Sequence, residues 1–257
     1  MSVDKTQTKN IQEKIAEVLI AKGQALLSQP YKRVEFTGNK EADDLLNNLS
    51  LLPHAFTIAC VMDRQIKAER AWLVPYQFSK ELNDFSISTL IKLDLPTIKS
   101  IFKKRNLHRF NDMMAKNFFL GIQKIHSDYN DDASNIWKGA PRSATIVKRF
   151  LSFDGVGVKI ATMATNILAR DCKIPMKDHI CIDISPDRHV KRVFGRLGFI
   201  SSNASNDELL YCARELNPNY PGIFDLACWE IGRYWCKPQN PVCNGCLLSK
   251  LCPKILT

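Results

Sequence analysis

Four cysteines near the end of the sequence, Cys236, Cys243, Cys246 and Cys252, constrain this chain more than any other feature. Their spacing, C-x6-C-x2-C-x5-C, gathers four thiols within seventeen residues, and Pro238, Pro241 and Gly245 let the backbone wrap one centre. Four thiolates hold either zinc or an iron–sulfur cluster, and ligand softness alone does not choose between them. Structural zinc usually takes two close pairs joined by a longer spacer, whereas these ligands are wound into one compact loop. The pattern therefore points to a [4Fe–4S] cluster. The remaining cysteines, Cys60, Cys172, Cys181, Cys212 and Cys228, stand outside this spacing and are expected to be buried as small hydrophobes.

A second constraint is the stretch Leu151-Ser152-Phe153-Asp154-Gly155-Val156-Gly157-Val158-Lys159, which lies between two helical patterns. A turn that exposes consecutive backbone N–H groups needs residues that reach unusual φ/ψ and allow close approach, and Gly155 and Gly157 supply both. Such a turn can hold a phosphate. Val156 is expected to point into the core and pin the loop, while Ile160, Ala164, Ile167 and Leu168 continue an apolar stripe at helical spacing. Lys159 falls one residue off that stripe. Taken alone, a GxG turn is a common helix connection, and a lysine in a first helical turn is ordinarily solvated.

Charge favours the phosphate reading. The 257 residues carry a formal charge of +10, with Lys and Arg dispersed along the chain rather than confined to a tail. A basic surface of that kind attracts a polyanion, with nucleic acid the leading partner. The length allows one large or two modest domains, and 45% apolar residues are enough for real cores. No apolar run is long enough to span a bilayer, and the opening MSVDKTQTKNIQEK lacks the features of a signal peptide. The expected setting is the cytoplasm, where the cysteines stay reduced.

Apolar spacing predicts helices over Asn10–Leu27, Glu41–Leu52 (stopped by Pro53), Ala55–Trp72, Ser86–Leu93, Pro96–Phe102 and Arg109–Ser127. Ser127–Pro141 reads as a polar loop carrying Trp137, followed by helices at Ala144–Leu151 and Lys159–Arg170 on either side of the glycine turn. In the Ala55–Trp72 stretch, polar Asp63-Arg64-Gln65 follow a buried run abruptly, as when side chains are delivered to a surface or cleft; a solvated helix end gives the same pattern. Further on, Ser185-Pro186-Asp187 reads as a helix start with Ser185 at the cap and Asp187 in the first turn. Two more helices fit Asp207–Leu216 and Gly222–Tyr234, and no β-pattern or internal repeat stands out. The expected fold is all-α.

Three motifs occur in one order: Gly155-Val156-Gly157-Val158-Lys159, then Asp187-Arg188-His189-Val190-Lys191-Arg192-Val193, then Gly232-Arg233-Tyr234-Trp235-Cys236 leading into the cysteine loop. In this order, and with this cysteine spacing, the chain resembles the endonuclease III branch of the helix–hairpin–helix DNA glycosylase superfamily from about Ala55 to Cys252. The resemblance implies a two-domain fold, with a helical bundle over 53–171 ending in the hairpin, and 1–52 plus 172–257 forming the domain of the [4Fe–4S] loop. It also implies a cleft with Lys159 and Asp187 on opposite sides as catalytic residues, and Asp183, preceded by Ile182, is the alternative carboxylate. Gly155, Val156 and Gly157 become the phosphate-binding hairpin, and Gln65 the side chain that fills the gap left by an extruded base.

The Cys172–Pro186 stretch is longer than usual for that family, Phe153-Asp154 and Ile160 replace its common residues, and Lys237 is the lone basic residue between the first two cluster cysteines. The implied activity is excision of a damaged or modified base from double-stranded DNA by a monomer associated with the nucleoid, with Lys159 attacking C1′ as a neutral amine and β-elimination nicking the strand. Two alternatives remain: a monofunctional glycosylase in which Lys159 contacts only phosphate, and a non-enzymatic DNA-binding protein with a structural or redox cluster. Asp63-Arg64-Gln65, the Trp137 loop and the Cys172–Pro186 stretch are the expected lining of a base pocket.

Overall fold

The computed structural model describes residues 5–255, with side chains from residue 9 onward, so the opening of the N-terminal stretch read above lies outside the described residues. Those residues form helices and connecting turns, with no strand among them. In chain order the helices are α1 (Lys5–Ser28), α2 (Lys40–Asn47), α3 (Pro53–Met62), α4 (Ala68–Trp72), α5 (Val74–Leu82), α6 (Ile87–Leu90) and α7 (Leu95–Arg105). They continue with α8 (Asn111–Tyr129), α9 (Ser143–Leu151), α10 (Val158–Arg170), α11 (Arg188–Arg196), α12 (Asn206–Leu216) and α13 (Asp225–Glu230). The chain divides into two compact units: Met1–Pro30, Arg142–Ala144 and Met176–Thr257 form one, and Tyr31–Pro141 with Thr145–Pro175 form the other.

The larger unit is built around α3, all ten of whose residues are buried. Pro53 does not stop a preceding helix. It sits in the first turn of α3, where its missing N–H has no helical partner to lose. Helix α8 packs against α3 and α7, and Phe78 stacks on Phe118 at 4.5 Å while Phe102 meets Phe118 edge-on. Helix α5 escapes the sequence pattern because Pro75 looks like a breaker but occupies the tolerated first turn. Trp137 is also not a pocket residue. Its ring is buried, edge-on to Phe56 at 6.1 Å, and belongs to the core.

The smaller unit packs α1 against α13 and the Pro221–Phe224 turn, with Ile15, Leu19, Phe194 and Phe224 fully buried. The Cys172–Pro186 stretch enters this unit from Met176 and is tied down at several points. Ser143 Oγ donates to the Asp178 carboxylate and accepts the Cys181 N–H at 3.1 Å, while Gly222 N–H donates to Ile182 O at 2.6 Å. Cys60 and Cys228 are buried as expected, but Cys172, Cys181 and Cys212 are half-buried.

Candidate functional site

In the larger unit, α9 and α10 enclose the glycine turn. Gly155 has φ +82, a left-handed conformation that costs any residue with a Cβ. Gly157 is the N-cap of α10 and has no side chain to close the helix end, so the first-turn N–H groups face outward at the positive end of the helix dipole. A Cβ at Gly157 would meet nothing within 4 Å, so this face is open. Val156 does not pin the loop, being half-buried with its own N–H donated to Phe153 O at 3.1 Å. Phe153 takes that role. Its buried ring lies parallel to Tyr129 at 6.0 Å, because an aromatic ring fills more core volume than a valine can.

Lys159 follows in the first turn of α10, its side chain 39% exposed, with Nζ 3.6 Å from Asp63 Oδ2. Asp63 is buried and lies at the C-cap of α3. Sequence reasoning named this aspartate only as one of three pocket candidates. Its ion pair with Lys159 joins residues far apart in the chain, and the signal present, a carboxylate directly after a wholly apolar run, is also that of a solvated helix end.

Two residues further on, Gln65 is exposed and has φ +55, a strained conformation for a residue with a Cβ. His108, fully buried, lies behind this bend. Its Nδ1 accepts the Phe110 N–H at 3.0 Å, leaving the proton on Nε2, which finds no hydrogen-bonding partner although the Met62 and Arg64 backbones are its neighbours. Burial holds the His108 imidazole below its ordinary pKa.

The two candidate carboxylates of the smaller unit occupy different settings. Asp183 is buried and takes a two-pronged ion pair from Arg214, with Nε at 2.8 Å from Oδ1 and Nη2 at 2.7 Å from Oδ2. That pairing raises the Arg214 pKa and gives Asp183 a structural anchor. Asp187 is half-buried and is itself the N-cap of α11, accepting the His189 N–H at 2.7 Å. The expected cap at Ser185 is thus displaced by two residues: the Ser185 N–H is committed to Asp225, and Asp187 caps as well as serine. The turn before Asp187 is fixed by Asp225, whose carboxylate accepts the Ser185 N–H at 2.8 Å. Gly232 lets the following turn approach α11, since a Cβ there would lie 2.7 Å from His189 Cβ.

Cys236, Cys243, Cys246 and Cys252 line one pocket of the same unit with Val193, Leu197, Ile231 and Leu248. Arg196 Nη1 donates to Cys236 Sγ at 3.4 Å and to Lys237 O at 2.6 Å, and Lys254 N–H donates to Cys252 Sγ at 3.3 Å. Four thiols around an apolar pocket, with N–H donors aimed at sulfur, form a donor set that suits an iron–sulfur cluster. As placed, no three His, Cys, Asp or Glu groups among the described residues stand in metal-binding geometry. No helix among these residues is long and apolar enough to cross a membrane.

The fold is shared with solved structures of endonuclease III and of a thymine-DNA glycosylase. The chain superposes on a non-covalent endonuclease III–DNA complex with a TM-score of 0.62 at 20% identity, covering 95% of each chain. On a trapped endonuclease III–DNA covalent intermediate, an estranged-adenine complex, it scores 0.60 at 19% identity, covering 94% of this chain and 96% of that one. A thermostable thymine-DNA glycosylase gives 0.62 at 18% identity, with 96% and 97% covered.

Sequence likeness is narrower and points the same way. Over 106 residues the chain is 29% identical to endonuclease III of Thermotoga maritima, covering 41% of this chain and 45% of that protein. Over 110 residues it is 29% identical to the chloroplastic endonuclease III homolog 1 of Arabidopsis thaliana, covering 40% of this chain and 27% of that one. The chain thus spans less than half the length of the curated relatives it matches, and no protein-family model matches it. It carries the endonuclease III fold and is similar in sequence to endonuclease III.

Proposed function

We propose that this chain is a DNA glycosylase with abasic-site lyase activity. The observation that carries the reading is Lys159: a part-exposed amine in the first turn of α10, directly after an open glycine hairpin, in the fold of a trapped endonuclease III–DNA covalent intermediate. The outward N–H groups at Gly157 and the start of α10 hold a backbone phosphate, a contact that positions DNA without reading sequence. Gln65, already strained and exposed, enters the stack where a base has been extruded.

Loss of the base builds positive charge at C1′, which the Asp187 carboxylate stabilises. The Lys159 amine forms an imine with the C1′ aldehyde of the opened sugar and releases water. A proton then leaves C2′, its electron pair forms the C2′–C3′ double bond, and the 3′ phosphate departs. The cysteine pocket takes a [4Fe–4S] cluster, whose contribution is to clamp the 236–252 loop into shape. Asp183, already committed to Arg214, serves the fold rather than the chemistry. The chain acts on double-stranded DNA as a monomer.

The contact with Asp63 also leaves room for a second reading, in which Lys159 serves only to contact a phosphate and the chain is a monofunctional glycosylase. Incubation with a duplex bearing one abasic site separates the two. The lyase reading expects a β-elimination product from the natural chain and none from Lys159→Gln, with binding retained. Intact strands in both samples leave the monofunctional reading.

A further inference from the structure

We propose that Asp63 is the residue that positions Lys159 for attack, a role that rests on the lyase reading above. Each member of this pair sits where its own helix disfavours it. Asp63 is at the C-terminal end of α3, beside the negative pole of the helix dipole, and it is buried at the end of a helix whose every residue is buried. Lys159 is in the first turn of α10, beside the positive pole. A carboxylate and an ammonium placed on the helix ends that repel them, and brought to 3.6 Å of each other, constitute a local conflict in two elements at once. Such conflicts mark sites kept for function rather than stability.

The geometry defines the role. At 3.6 Å the contact exceeds hydrogen-bond length, so Asp63 acts as a Coulombic tether that confines Nζ without locking it, and the Asp63 carboxylate is the group placed to take the Nζ proton, leaving a neutral amine in position to attack. The backbone carrying Asp63 is rigid, since α3 is core on all sides and His108 fills the space behind the bend at Arg64. The tethered amine therefore has a fixed origin relative to the glycine hairpin, within the same unit and one turn from Gly157. A side chain with four rotatable bonds is thereby confined before DNA arrives, which reduces the ordering needed to reach C1′.

The test is the rate of borohydride trapping on a duplex with one abasic site, at saturating DNA, for the natural chain, Asp63→Asn, Asp63→Glu and Lys159→Ala. Binding to a reduced, uncleavable abasic duplex and the melting temperature are measured alongside. Asp63→Asn is expected to trap at least about tenfold more slowly with binding altered less than about threefold, and Asp63→Glu to recover part of the rate. Trapping by Asp63→Asn at the natural rate, while Lys159→Ala traps nothing, overturns the positioning role and leaves the lyase reading standing. Parallel losses of trapping, binding and melting temperature with no recovery in Asp63→Glu assign Asp63 to the fold alone and also overturn it. A natural chain that forms no trapped complex overturns the lyase reading, and this role with it.

Discussion

Replacing Gly155 with alanine tests the hairpin geometry in a way that separates fold from DNA contact. The backbone there has φ +82, and a non-glycine residue in that conformation costs roughly 1–2 kcal/mol. The new Cβ lies 2.3 Å from Asn117 Nδ2 and 3.2 Å from its Cγ, and Asn117 is itself buried on α8. Displacing it adds about 1–3 kcal/mol of overpacking strain, so the total is roughly 2–5 kcal/mol. At about 2–4 °C per kcal/mol for a domain of this size, melting falls by roughly 4–20 °C. Gly157→Ala is the control, with φ −105 and an open site for its Cβ. In thermal melting by circular dichroism, Gly157→Ala should cost no more than about 1 kcal/mol, the penalty of alanine at an N-cap, yet weaken the affinity for abasic duplex. A Gly155→Ala protein that melts with the natural one, or equal destabilisation by both substitutions, would refute the turn described here.

Other consequences are as specific. Asp183→Ala removes the partner of an Arg214 side chain that is 42% exposed and can rehydrate, so it should cost only about 1–2 kcal/mol in a melt, while Asp187→Asn should suppress base release with little change in melting. Phe153→Ala, which empties the buried site against Tyr129, should lose about 3–5 kcal/mol by denaturant titration. Burial lowers the His54 pKa in the folded chain, so the unfolded chain takes up that proton first. Its contribution is complete above the unfolded value of about 6.5 and is lost as pH falls through the lower folded value, so melting temperature should drop below pH 6.5 and drop less steeply in His54→Gln. Anaerobically purified protein should contain iron and sulfide in equal amounts rather than a single zinc, and Cys243→Ser should lose both.

The glycine turn and its flanking helices were legible in the sequence because their cues are local: apolar spacing of 3.6 on both sides and glycines between. Observed α9 and α10 start within one residue of the expected positions. Cues that depend on competition between neighbours misled. Pro53 read as a stop but begins a helix, and Ser185 read as a cap but gives way to Asp187 two residues later. Trp137 in a polar stretch looked like pocket lining, whereas its burial depends on Phe56, which no short-range pattern connects to it. Asp63 was hardest to assign, because the ion pair is a relation between two distant residues and its one local sign, a carboxylate after an apolar run, is shared by solvated helix ends. Of the two carboxylates, Asp187 was favoured by its motif over Asp183, and the ion pair of Asp183 with Arg214, which no short-range pattern reveals, gives Asp183 a separate structural role.

Mapping the covalent adduct decides whether Lys159 is the attacking nucleophile. The natural chain is mixed with abasic duplex and borohydride, digested, and the DNA-linked peptide is identified by mass spectrometry. A single adduct is expected on the peptide bearing Lys159, at its side-chain nitrogen. An adduct on another lysine or on the N-terminal amine, or no adduct from a chain that binds the duplex, contradicts it.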